Sequence, residues 1–184
     1  SGYQAEKINT HYDWSNWGQL SDAVEMCNNN GACRNLESGV MCPSYRVTKE
    51  EKDLVRGRAN TLRLALSNQL PEGSFVSKDM FETMELCVSC KACQRECPMS
   101  VDMAKMKSEF LSHYYNKFSM RIKDKVISEM PKMIWILKII APIFNKVKNL
   151  PIISTIIEQF GFTNKREMPE VQSQNILKTI YTEQ

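Results

Sequence analysis

Three cysteines at three-residue steps, Cys87, Cys90 and Cys93, precede Cys97-Pro98 in the stretch LCVSCKACQRECPMSVDM, residues 86–103. Thiolates are soft metal ligands, and Cys-x2-Cys-x2-Cys-x3-Cys-Pro is the spacing of a ferredoxin-type iron–sulfur site. Three closely spaced thiolates on a tight loop can reach three corners of one cube. The fourth, turned away by its proline, reaches a different cluster. Zinc sites read instead as paired Cys-x2-Cys knuckles, without the third step or the Cys-Pro. A zinc-binding interaction module is the rival reading.

The stretch MCNNNGACRN repeats the pattern upstream. Cys27 stands sixty residues before Cys87 and Cys33 sixty before Cys93, while Asn30 occupies the place of Cys90. Each copy ends in Cys-Pro, at Cys42-Pro43 and at Cys97-Pro98. By the crossover rule one [4Fe-4S] cluster takes Cys87, Cys90, Cys93 and Cys42. A second site takes Cys27, Cys33 and Cys97. That second site holds a three-iron cluster, a four-iron cluster with Asn30 or an outside ligand at one corner, or nothing. Helices after Pro43 and Pro98 are expected to point their N-termini at the metal, where free N–H groups and the helix dipole favour an added electron.

The elements that must position these cysteines read as helices nearly throughout. Ser21 is expected to cap a short helix running into Cys27. Thr48-Lys49-Glu50-Glu51 has the form of a capping box opening a helix to about Leu70, stopped by Pro71-Glu72-Gly73. Leu54, Leu62, Leu66 and Leu70 make its buried stripe, with Ala59 and Ala65 beside it. A short helix over 78–86 delivers Cys87, and Ser100 is expected to cap a long helix with Met103, Met106, Phe110 and Tyr114 on its core face. Beyond residue 119, Pro131, Pro142 and Pro151 predict three short helices, the last ending at Gly161. The expectation is an all-α fold: a lead-in over 1–18, a helical iron–sulfur domain over 19–118, a basic helical extension over 119–162 and a linker over 163–184, with Ile176, Leu177 and Ile180 as a weak apolar set.

Composition narrows the function. A net charge of +3 over 184 residues gives no case for nucleic acid. The basic character is regional: residues 113–150 hold eight Lys and Arg against Asp124 and Glu129. Seven cysteines, an odd number, without a secretory signal argue against a disulfide framework. The Ser1-Gly2 opening is expected of a piece cut from a longer protein. MIWILKIIAPIF, residues 133–144, is too short and too interrupted to cross a bilayer. Beside its lysines, Ile134, Trp135, Leu137 and Ile139 are expected to lie on a membrane surface, dock on another domain or form core.

The run AVEMCNNNGACRNLESGVMCPSYRVTKEEKDLVRGRANTLRLAL, with MELCVSCKACQRECPMSVDMAKMKSEFL after it, resembles the iron–sulfur region of large FAD-linked oxidases of D-lactate or D-2-hydroxyglutarate dehydrogenase type. More distantly it is similar to the iron–sulfur subunits of glycolate oxidase, anaerobic glycerol-3-phosphate dehydrogenase, heterodisulfide reductase and succinate dehydrogenase. The resemblance implies an α-helical ferredoxin-like fold over about residues 11–118. It also implies a relay rather than a catalyst. Electrons come from FAD on an upstream domain of the same polypeptide, not on this chain, and go to a quinone or redox protein. Cytoplasmic placement, peripheral at the inner membrane face, goes with that reading. A stand-alone subunit of a heterodisulfide-reductase-like complex is the alternative.

Among other residues, Arg56 and Arg58 are expected on a solvated helix face, and Gly57 to allow close packing. His11, His113, Tyr45 and Trp14 are expected to pack rather than to react.

Overall fold

The computed structural model describes residues 5–148, 150, 153, 155, 158–159, 163 and 170–172. The chain divides into two compact units, Ser1–Ser119 and Met120–Gln184. Among the described residues there is helix and no strand.

The first unit holds α1 (Leu20–Glu25), α2 (Pro43–Thr48), α3 (Val55–Leu66), α4 (Lys78–Glu85), α5 (Ala92–Glu96) and α6 (Met103–Lys117), with single 3-10 turns at Ala32–Arg34, Glu51–Asp53 and Ser74–Val76. The leucine stripe of α3 and the methionine–aromatic stripe of α6 meet in one core. Leu54, Leu62, Leu66, Met103, Met106 and Phe110 are all buried, together with Met80 and Met84 of α4. Apolar side chains recurring at three and four residues cover one face of a helix, and burying that face drives the assembly.

Three expected caps move. Thr48 ends α2 instead of opening α3, because Lys49 takes the left-handed conformation and closes the helix behind it. The helix then restarts at Val55, with Leu54 as an N-cap lacking a side-chain bond, and stops at Leu66, short of Leu70. Gln19, not Ser21, precedes α1, and Ser21 is buried inside it. Asp102, not Ser100, caps α6: its carboxylate accepts from the Lys105 amide at 3.0 Å, while Ser100 has a positive φ of 50°. A carboxylate at this position also meets the positive end of the helix dipole. Ser77 caps α4 by accepting from the Met80 amide at 3.1 Å.

Gly57 has the packing reason its place in a helix requires. A Cβ there would fall on the Glu51 carbonyl oxygen and lie 3.1 Å from Lys52 Cα, both backbone atoms of the preceding turn. Gly57→Ala is therefore expected to cost about 1–3 kcal/mol in urea unfolding, despite the better helix propensity of alanine. A more stable variant would contradict this.

In the second unit the helix starts expected at Pro131 and Pro142 are absent: one helix, α7 (Ile122–Val147), runs through both prolines. The two prolines are eleven residues apart, three helical turns, and so share a side. Both are exposed, so water can satisfy the carbonyls that lose their donors. No helix among the described residues is long and apolar enough to cross a membrane. The start of a helix near Pro151 and its stop at Gly161 lie outside the described residues, as do Ile176, Leu177 and Ile180.

Candidate metal centre

The sixty-residue repeat is present in the backbone as well as in the cysteines. Asn29 and Gly31 have φ of 62° and 78°, and their counterparts Ser89 and Lys91 have 53° and 59°. Left-handed serine and lysine are strained, and such strain persists where the surroundings over-determine it. Both loops therefore make the same reversal around positions 30 and 90. Asn30 does not disturb this. Its side-chain Oδ1 accepts from the Ala32 amide at 2.8 Å and its Nδ2 donates to Asn28 Oδ1 at 2.6 Å.

The second loop is delivered by α4 and leads into α5, which carries Cys93. Around it lies a small cavity of about 20 Å³ lined by Cys87, Cys90 and Cys93, and by Cys42 from the upstream copy. Thus a cysteine forty-five residues before Cys87 reaches the downstream loop. Cys42 and Cys93 are buried, Cys87 half-buried and Cys90 exposed. Among the described residues no three His, Cys, Asp or Glu side chains close on a single ion. What fits an iron–sulfur group is the donor set: four thiols line the cavity, with no carboxylate or histidine among them.

Burial pushes the Cys93 thiol up to about 11, opposed by the Met103 and Ala104 amides at the start of α6. Burial likewise raises Cys33, opposed by the Arg56 amide in the first turn of α3, with Cys27 and the Arg56 charge close by. Each copy thus directs the N-terminus of a long helix at the cysteine in its third motif position, Cys33 or Cys93. Upstream that helix is α3, through the Arg56 amide, while α2 starts directly after Cys42. Cys97 lies outside the first cavity, half-buried at the end of α5. The segment after it packs toward the first loop: Ser100 and Val101 share a small cavity with Met26, next to Cys27.

In the metal-free chain the thiolate is the reactive form. Cys90 is expected to alkylate first with iodoacetamide and Cys93 about a hundredfold more slowly at pH 8. Mass spectrometry of timed samples reads this directly. Equal rates would contradict a buried, protonated Cys93.

Two charged side chains, Arg58 and Glu109, are buried on helix faces. Arg58, expected in solvent, is fully buried and beside Cys42. Glu109 is fully buried and accepts from the His11 and Tyr12 amides at 2.8 and 2.9 Å and from Trp14 Nε1 at 3.0 Å, with His113 Nε2 at 3.0 Å. It ties residues 11–14 to α6, which explains why Trp14 is buried and why both histidines pack there. The signal was in the spacing: Arg58 falls four after Leu54 and four before Leu62, and Glu109 falls three after Met106.

Residues 23–101 match the family model described as a 4Fe-4S dicluster domain. The chain is 25% identical over 176 residues to a D-2-hydroxyglutarate dehydrogenase of Escherichia coli (77% of this chain, 17% of the relative). It is 25% identical over 189 residues to that of Haemophilus influenzae (84% and 18%), and 27% identical over 147 residues to that of Pseudomonas putida (62% and 14%). It therefore spans less than a fifth of the length of these relatives. No solved structure matches it significantly. The paired cysteine loops and these matches support an iron–sulfur electron-transfer role, and they make the chain similar to the 4Fe-4S dicluster domain and, at modest identity, to part of the D-2-hydroxyglutarate dehydrogenases.

Proposed function

We propose that this chain is the electron-relay portion of an FAD-linked D-2-hydroxyacid dehydrogenase, with Cys42, Cys87, Cys90 and Cys93 holding a [4Fe-4S] cluster. The observation that carries the reading is the meeting of Cys42 with the 87–93 loop around one cavity. A cluster held there would supply reversible one-electron storage between a two-electron flavin and its acceptor. The chain's own part is to fix four thiols, keep two of them from water and direct the first turn of α6 at Cys93. The flavin domain belongs to the same polypeptide upstream, and the acceptor is a quinone or a redox protein. Cys27, Cys33 and Cys97 form the second site, which is short of one thiolate at Asn30.

Anaerobic reconstitution followed by iron and sulfide analysis and EPR tests this. About four irons, EPR-silent until reduced, mean one cluster on the 87–93 loop. About seven, with a signal already present when oxidised, mean a three-iron cluster at the Asn30 site as well. Stoichiometric zinc and no stable iron would sink the relay reading.

A peripheral membrane contact near a quinone pool is supported by α7, where Trp135, Ile139 and Ile143 are 62%, 70% and 69% exposed among lysines. Binding to anionic but not to neutral vesicles is the expected result. Equal failure on both would remove this part of the proposal.

A further inference from the structure

We infer that Arg58 is a positioning residue for the iron–sulfur site, holding Cys42 against the 87–93 loop and raising the reduction potential of the cluster bound there. The inference rests on the proposed ligand set.

Arg58 is 0% exposed, and a charge taken out of water is costly unless it is paired and hydrogen-bonded. Its donors fan over three elements. Nε donates to the Thr83 carbonyl of α4 at 2.9 Å. Nη1 donates to the Asp53 carbonyl at 2.7 Å, and both terminal nitrogens lie 3.2 Å from Ser44 Oγ of α2. Nη1 is also 3.7 Å from Cys42 Sγ, and Ser44 Oγ is 3.4 Å from the same sulfur. Thr83 stands four residues before Cys87, and Ser44 two after Cys42. One side chain therefore joins the two parts of the ligand set that are far apart in sequence.

Packing alone is a poor explanation. A leucine at position 58 would continue the stripe of Leu54, Leu62 and Leu66 without a buried charge. The counter-charge is also incompletely used. Asp53 Oδ1 lies 3.5 Å from Arg58 Nη2, yet among the described contacts neither carboxylate oxygen accepts a hydrogen bond. Buried pairs of this kind are weak contributors to stability. What the arrangement does supply is a fixed cation and N–H donors beside one ligand sulfur. Hydrogen bonds to cluster sulfurs and nearby charge are general determinants of cluster potential.

The test is a redox titration, followed by EPR, of the reconstituted 184-residue chain and its variants. Arg58→Gln is expected to lower the potential by a shift equivalent to about tenfold in the one-electron equilibrium, about 59 mV. Arg58→Lys, which keeps the charge but loses the fork, should lower it less. Asp53→Asn should raise it, since the cation is then unopposed. Arg63→Gln, five residues along α3 and beside Glu25 and Gln69, should leave it unchanged. A merely structural role would move Arg58 and Asp53 variants in the same direction, or neither, and would overturn the inference. If Arg58→Gln fails to fold or load, Asp53→Asn decides: a raised potential supports the inference and an unchanged one overturns it. Iron bound with unshifted potentials would overturn this inference alone, whereas a parent chain that takes no iron would overturn the ligand reading with it.

Discussion

Cys93→Ser is expected to remove the cluster from the downstream loop, taking away about four irons per chain and their reduced EPR signal. Cys93 is the most confined thiol of its loop, 6% exposed and met by the first amides of α6. Cys42→Ser should cause the same loss, although Cys42 belongs to the upstream motif. Cys27→Ser should leave those irons in place. This pattern distinguishes crossover from a self-contained loop. If Cys97→Ser strips the downstream iron while Cys42→Ser spares it, the fourth ligand has been misassigned and the cavity is not the cluster site. Iron analysis and EPR on parallel preparations give the answer, and far-ultraviolet circular dichroism shows whether each variant remains helical.

Glu109→Gln should destabilise the first unit by about 3 kcal/mol, read as a lower urea midpoint. Burial by itself would raise the Glu109 carboxyl. The His11 amide, Trp14 Nε1, the Tyr12 amide and His113 together outweigh it and hold the group below the ordinary carboxylate range. Glutamine keeps the shape but presents an NH2 group to some of these donors, leaving buried N–H groups unpaired. The pH dependence has a definite sign. A carboxyl whose folded pKa is depressed binds its proton more readily in the unfolded chain, so its stabilisation is complete above the unfolded value near 4.3. It is lost as pH falls through the folded value. The difference between parent and variant should therefore be flat from neutral pH down to about 5 and narrow below about 4. A difference that widens in acid would show that Glu109 is already neutral in the folded chain.

Much of the site is legible in the sequence because ligand chemistry is local. Three thiols at three-residue steps can belong to one loop, and the sixty-residue repeat exposes the missing thiol at Asn30. The core faces of α3 and α6 are legible for a similar reason: a period of 3.6 is a property of neighbours along the chain. Caps were less readable. Thr48, Ser21 and Ser100 have suitable side chains, but helix starts here are set by where Lys49 and Ser100 turn left-handed and by how closely Gly57 must approach Glu51. The prolines of α7 look like breaks in the sequence, where nothing local shows that both lie on an exposed side where freed carbonyls meet water.

By itself, then, the sequence determined the type of metal chemistry, the helical class and the two cysteine loops, all carried by residues within one or two turns of each other. Only the tertiary structure decided that Arg58 and Glu109 are buried charges rather than solvated ones. Those depend on contacts between residues up to 98 positions apart, and no local pattern shows whether a charged side chain on a core stripe will meet a partner there or turn to water.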